Sequence, residues 1–187
     1  MSYTSWSVVF GEQPSAAKWN ILGTNDASFN DGTGLPTGTC VQIAQNVTTA
    51  VSTGTTVIPF DDTIPQNTEG DQYMTQAITP RRTTNILVIE ATLVLANSAA
   101  AYHMIAALFQ DTTANALAAV SHYSGTASAA VNLKLTHTMT AGTTSSTTFK
   151  IRAGAGSAGT TTFNGTAGGR LFGAITKSSM VIREYTV

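Results

Sequence analysis

Between residues 85 and 95 the chain alternates without a break: Leu87, Ile89, Ala91, Leu93 and Leu95 fall on one side of an extended backbone, and Glu90 and Thr92 on the other. A period of two predicts a strand with one face in a core. The pattern recurs in Val131, Leu133, Leu135, His137 and Met139, set against Asn132, Lys134, Thr136 and Thr138. It recurs again in Phe149, Ile151 and Ala153 against Lys150 and Arg152. The turn Ala141-Gly142-Thr143-Thr144 between these two stretches predicts that they pair with one another.

Residues 101–110 and 116–123 are apolar stretches separated by Asp111-Thr112-Thr113-Ala114-Asn115, which reads as a hairpin loop between strands, helix being the alternative that their alanine content leaves open. A short apolar strand is predicted over 55–60, ended by Asp61-Asp62, and a terminal strand over 180–187. The glycines of 154–159 read as a flexible connection, and Gly165 with Gly168-Gly169 as a tight turn. Strands that recur every roughly eight to fifteen residues, with no long helix between them, imply an all-β antiparallel sandwich or jelly roll.

A chain of 187 residues is long enough for one main core and a short appendage. Charged residues make up only 10% of it, well under half of the roughly 25% usual in soluble proteins. Thr, Ser, Ala, Gly and Asn stand in their place, so the surface keeps little repulsion between copies. Thr at exposed positions also favours extended backbone. Both point to a β-protein that self-associates. The net charge of -1, with Arg81-Arg82 the only adjacent basic pair, argues against nucleic acid or an anionic membrane as partner. Cys40 is the sole cysteine, so no intrachain disulfide forms. No apolar run reaches the length of a transmembrane helix, and the first residues do not read as a secretory signal. Export by host lysis is compatible with that.

Pro14-Ser15 opens a predicted helix carrying Ala16, Ala17, Trp19, Ile21 and Leu22, with Gly23 as its stop. Residues 25–34 then read as a turn-rich segment bearing Phe29. Trp6, Phe10, Trp19 and Phe29 are large apolar groups in a region that cannot build its own core. They are expected to pack against a neighbouring chain or a docking site, the alternative being that they fold back onto the main domain. Residues 1–40 are therefore read as an attachment segment and 41–187 as a head domain.

Chemistry is sparse. His103, His122 and His137 show no metal-ligand spacing, and no zinc is expected. No Gly-x-Ser-x-Gly elbow occurs, and the 154–159 run lacks the Gly-Lys-Ser/Thr ending of a phosphate loop. Asp61, Asp62, Glu69 and Asp71 are the densest carboxylates, but they lack EF-hand spacing and read as a solvated acidic loop. No catalytic residue, cofactor or metal is expected, and the chain reads as a non-enzyme. Tyr102, His122, Tyr123 and Phe163 are the candidate surface-binding residues, because aromatic rings stack on sugars and pack at interfaces.

Several motifs occur together: Ile64-Pro65-Gln66-Asn67-Thr68-Glu69-Gly70-Asp71-Gln72-Tyr73-Met74, Ala107-Leu108-Phe109-Gln110-Asp111, Met139-Thr140-Ala141-Gly142-Thr143-Thr144, and Phe163-Asn164-Gly165 through Gly168-Gly169-Arg170-Leu171-Phe172-Gly173. This set resembles the C-terminal domain of many phage tail-fibre and related virion proteins. Ala16-Ala17-Lys18-Trp19-Asn20 through Phe29-Asn30-Asp31-Gly32-Thr33-Gly34 resembles the lead-in ahead of it. The resemblance implies a jelly roll similar to the tumour-necrosis-factor and complement globular heads, associating as a homotrimer. The C-terminal strand and the apolar face of 85–95 would then lie near the core or the threefold contact, with loops outward. It further implies a place on the exterior of a phage particle made in the bacterial cytoplasm. The partners would be other virion proteins, tail or capsid, and host cell-surface glycan, with no nucleic acid and no membrane insertion. The long shaft of typical fibres is missing, which leaves a short spike or a capsid-decorating head as forms. A receptor-binding tail protein that degrades polysaccharide is the competing function.

Overall fold

The computed structural model of the chain describes residues 4, 5, 7, 10, 11 and 13–187. After helix α1 (Ala16–Asp31) come β1 (Cys40–Thr48), β2 (Ser52–Gly54), β3 (Asp71–Ile78), β4 (Ile86–Asn97), β5 (Tyr102–Gln110) and β6 (Ala118–Ser124). Then follow β7 (Val131–Thr140), β8 (Thr147–Ala155), β9 (Thr161–Phe163), β10 (Gly165–Thr166), β11 (Gly169–Arg170) and β12 (Ser178–Tyr185). The first sheet runs β1-β12-β4-β7, with β9 and β2 continuing it at the far end of β4; the second runs β3-β8-β5-β6. Every pairing is antiparallel. The steps β3 to β4, β4 to β5, β6 to β7 and β7 to β8 each cross from one sheet to the other, which is the wrapped connectivity of a jelly-roll sandwich.

The alternation in β4 sets the core. Leu87, Ile89, Ala91, Leu93 and Leu95 are all fully buried and meet Met104, Leu108, Phe149 and Ile151 of the second sheet. Each such large side chain contributes about 1.5–3 kcal/mol when removed from water. β7 aligns Leu133 with Leu93 and Leu135 with Ala91, so its apolar side faces the same interior. The predicted pairing of β7 with β8 is corrected here. β8 lies in the opposite sheet between β3 and β5, and the turn after β7 is tied instead to the chain before β4, by Ala141 N–H to Asn85 O and Gly142 N–H to Thr83 O, both 2.8 Å.

β5 is buried on both faces, which accounts for its nearly continuous apolar run. Tyr102, Met104, Ala106 and Leu108 enter the main core, while Ile105, Ala107 and Phe109 form a second cluster on the outer face with Ile58. Ile58 belongs to a strap, residues 55–70, that crosses the outside of the second sheet. The predicted strand at 55–60 is replaced by this irregular strap, which joins the sheet through Ile58 N–H to Ala155 O, 3.1 Å, and closes on itself through Gly70 N–H to Val57 O, 3.0 Å. Asp71 fastens its start by accepting from Thr56 N–H and the Thr56 hydroxyl, both at 2.9 Å. Asn67 and Ala116 tie its far end to the β5–β6 loop.

Gly154 is corrected too: it lies inside β8 and not in a flexible connection. A Cβ there would overlap the Thr56 carbonyl oxygen, and one on Gly156 would stand 3.0 Å from Phe60 Cβ. The two glycines make a trough in which the strap lies. Helix α1 likewise continues past Gly23 to Asp31 and ends at Gly32, whose φ of 81° supplies the left-handed cap. Ser15 caps its start by accepting from Lys18 N–H, and Asn25 exchanges two hydrogen bonds with the Thr4 backbone.

Candidate functional site

Strand parity sorts the candidate surface residues. Tyr102 is 2% exposed and its hydroxyl donates to Ala129 O at 2.8 Å; Phe163 is 1% exposed and stacks on Tyr73 with ring centroids 5.0 Å apart. Both are core residues, a correction to their placement on the binding surface. Tyr102 shares its side of β5 with Met104 and Leu108, and Phe163 sits beside Leu95. His122 and Tyr123 are exposed on β6, as expected.

Tyr123 is part of a row that the sequence did not reveal. It pairs across the sheet with His103, their rings 5.1 Å apart, and the His103 ring lies face to face with Phe60 at 3.6 Å and 7°. Phe60 and Tyr123 are each 57% exposed. Phe60 reaches this place because the strap carries it over Gly156, and no periodicity in Pro59-Phe60-Asp61 signals such a crossing.

Beside the row lies a cleft of about 180 Å³ between strap and β6, lined among others by Phe60, Asp61, Thr63, Ile105 and Ser121. A second, of about 420 Å³, shares Asp61, Thr63, Pro65 and Ala119 with it and extends along 116–118. The Thr63 hydroxyl and N–H both donate to Asp61 Oδ1, at 2.6 and 2.9 Å, and hold its carboxyl below the usual range. Asp61 Oδ2 has no hydrogen-bond partner among the described residues.

The other carboxylates serve local turns: Glu69 accepts from Gln66 N–H at 2.9 Å, and Asp71 holds Thr56. His137 faces inward from β7, and burial pushes its imidazole pKa down. Among the described residues no three metal-ligating side chains converge, and no helix is long and apolar enough to cross a membrane.

Two other surfaces stand out. On the outer face of the first sheet the register places Ile43 beside Arg183 and Val88, and Gln45 beside Val181 and Glu90. Ile43 is 60% exposed and Val47 is also exposed. Among the described residues the ion pairs of this face converge on Glu90, which is hydrogen-bonded by Arg183 and lies 3.5 Å from Lys134; the Arg183 bond holds its carboxyl below the usual range. In the N-terminal segment Phe10, Trp19, Leu22 and Phe29 are exposed. Spacings of three and seven put Trp19, Leu22 and Phe29 on one side of α1. Trp6 lies outside the described residues.

No protein-family model matches this chain, and neither does any curated protein. Among solved structures, Eiger TNF from S. frugiperda superposes with a TM-score of 0.44 at 8% identity, over 76% of this chain and 90% of that one. A structure of infectious bursal disease virus Gx strain gives 0.35 at 13% identity, over 78% of this chain and 38% of that one. Dimeric latent PorU from Porphyromonas gingivalis gives 0.35 at 7% identity, over 82% and 14%. The jelly-roll assignment rests on strand order and register, not on these superpositions.

Proposed function

We propose that this chain is a non-enzymatic structural protein of a bacteriophage particle. Three copies associate through the outer face of the first sheet, the segment 1–40 anchors the trimer to other virion proteins, and the head 41–187 meets the host surface. The observation that carries this reading is the composition of that outer face. Ile43, Val47, Val88 and Val181 lie there among uncharged polar residues, and its charges are consumed in the cluster around Glu90. Flat β-branched surface with little repulsion suits burial against sister subunits. The exposed aromatic side of α1 supports the anchor, and the threefold number follows from the tail-fibre resemblance.

Mass photometry tests the assembly: the intact chain is expected at three times its 19.4 kDa protomer mass. Ile43→Asp sets a carboxylate beside Arg183, where a lone protomer tolerates it, and is expected to shift most of the population to single protomers. A wild-type monomer at micromolar concentration refutes the trimer.

Attachment is tested on particles by immunogold labelling. Label is expected on the particle exterior and is expected to vanish when residues 1–34 are deleted while the released head still unfolds cooperatively; label that persists rules out the segment as anchor. Oligosaccharides released from host capsule by the purified chain would replace this reading with the polysaccharide-degrading one.

A further inference from the structure

We propose that the cleft between the strap and β6 is a sugar-binding site that takes a neutral pyranose ring stacked on the aromatic row of Phe60 and Tyr123. The inference rests on the surface-binding reading above and gives it a place and a ligand chemistry. A pyranose has one apolar C–H face and a rim of hydroxyls. Its site therefore needs an open aromatic face next to hydrogen-bonding groups. Phe60 and such groups line the same cleft, and Tyr123 extends the aromatic row beside it through His103. His103 stacks on one side of Phe60 while the ring as a whole stays 57% exposed, and Tyr123 continues the row with the same exposure. Asp61, Thr63 and Ser121 line the adjoining cleft. Thr63 saturates Asp61 Oδ1 and leaves Oδ2 to accept from ligand hydroxyls.

Charge selects among sugars. No Lys or Arg lines either cleft, and Asp61 and Asp62 contribute negative charge, so phosphate or uronic-acid groups are disfavoured. The small side chains of Ala116, Ala118 and Ala119 keep the second cleft open beside the first, giving room for a further ring of the same oligosaccharide. The platform is also prearranged. Ile58 anchors the strap, fully buried against Ile105 and Phe109, and Phe60 is seated over Gly156, so little ordering is left to binding.

Saturation-transfer NMR on the full chain, with the methyl glycosides of glucose, galactose, mannose and N-acetylglucosamine at millimolar concentration, tests this. At least one is expected to receive saturation through its ring C–H protons. Phe60→Ala and Tyr123→Ala are each expected to weaken that ligand about tenfold, and Asp61→Asn to weaken it less, with thermal unfolding unchanged for Tyr123→Ala and Asp61→Asn. No transfer to any of the four, or binding that survives Phe60→Ala and Tyr123→Ala together, overturns the site. Transfer to an unstructured peptide pool alone would assign the cleft to a protein partner and overturn it equally. Mass photometry on the same sample separates the outcomes, since a trimer that ignores sugar refutes the site alone and a monomer that binds sugar refutes the trimer alone.

Discussion

Glu184→Ala is expected to lower the unfolding free energy by about 3–5 kcal/mol, measured by urea denaturation at neutral pH and fixed protein concentration. Glu184 is a fully buried carboxylate on the C-terminal strand β12. Its Oε1 accepts from Arg81 N–H at 2.8 Å, Asn85 Nδ2 at 2.7 Å and Arg82 N–H at 3.4 Å. With its amide turned to satisfy both ends, Gln42 donates to Oε2 at 3.1 Å and to Thr79 O. One side chain thus pins the crossing from β3 to β4 and the edge strand β1 to the final strand. Alanine leaves the buried Asn85 amide and the part-buried Arg81 and Arg82 N–H groups without this acceptor, and an orphaned buried group costs about 1–3 kcal/mol. Glu184→Gln keeps one carbonyl oxygen for the Arg81 and Asn85 donors, so its loss is expected at less than half that of alanine. A cost below about 1 kcal/mol for Glu184→Ala would mean that water reaches these donors and that the carboxylate is not the pin.

The contrast between β4 and the Phe60 row shows what the sequence could and could not convey. Period-two alternation says which side of a strand is dry, and for Leu87 through Leu95 that was enough to place each residue in the core. It does not say which strand lies alongside, so β7 and β8 were legible as strands while their pairing was not. Where β5 is buried on both faces, parity carries no information about solvent, which is why Tyr102 read as a surface residue. Phe163 sits in a strand of three residues, too short for any alternation to show. Gly23 read as a helix stop because glycine costs about 1 kcal/mol relative to alanine inside a helix. The Asn25 bonds to Thr4 and the cap at Gly32 offset that cost, and neither is visible as local propensity. Phe60 and His103 meet only because an irregular strap crosses a sheet, and no pattern within either segment encodes the crossing.

The same crossing makes Gly154 the position where the smallest change should have the widest effect. A single methyl group at residue 154 meets backbone atoms and no flexible side chain: it overlaps Thr56 O and stands 3.2 Å from Ile58 N and 3.3 Å from Gly70 Cα. Backbone can yield only if the strap lifts as a unit, and lifting it uncovers Ile58, Ile105 and Phe109. Gly154→Ala is therefore expected to cost about 2–3 kcal/mol and to abolish transfer to the sugar, because Phe60, Asp61 and Thr63 all ride on the strap. The proposed trimer should survive, since the outer face of the first sheet lies on the opposite side of the sandwich. Gly156→Ala comes tightly against Phe60 Cβ, at 3.0 Å, with Phe60 N and Ile105 Cδ1 at ordinary contact, 3.6 and 3.7 Å, and is expected to cost well under half as much. Urea denaturation, mass photometry and saturation transfer on these two variants separate the three consequences. If Gly154→Ala unfolds like the wild type and still receives saturation, the strap is not held by the glycine trough and the platform does not depend on it.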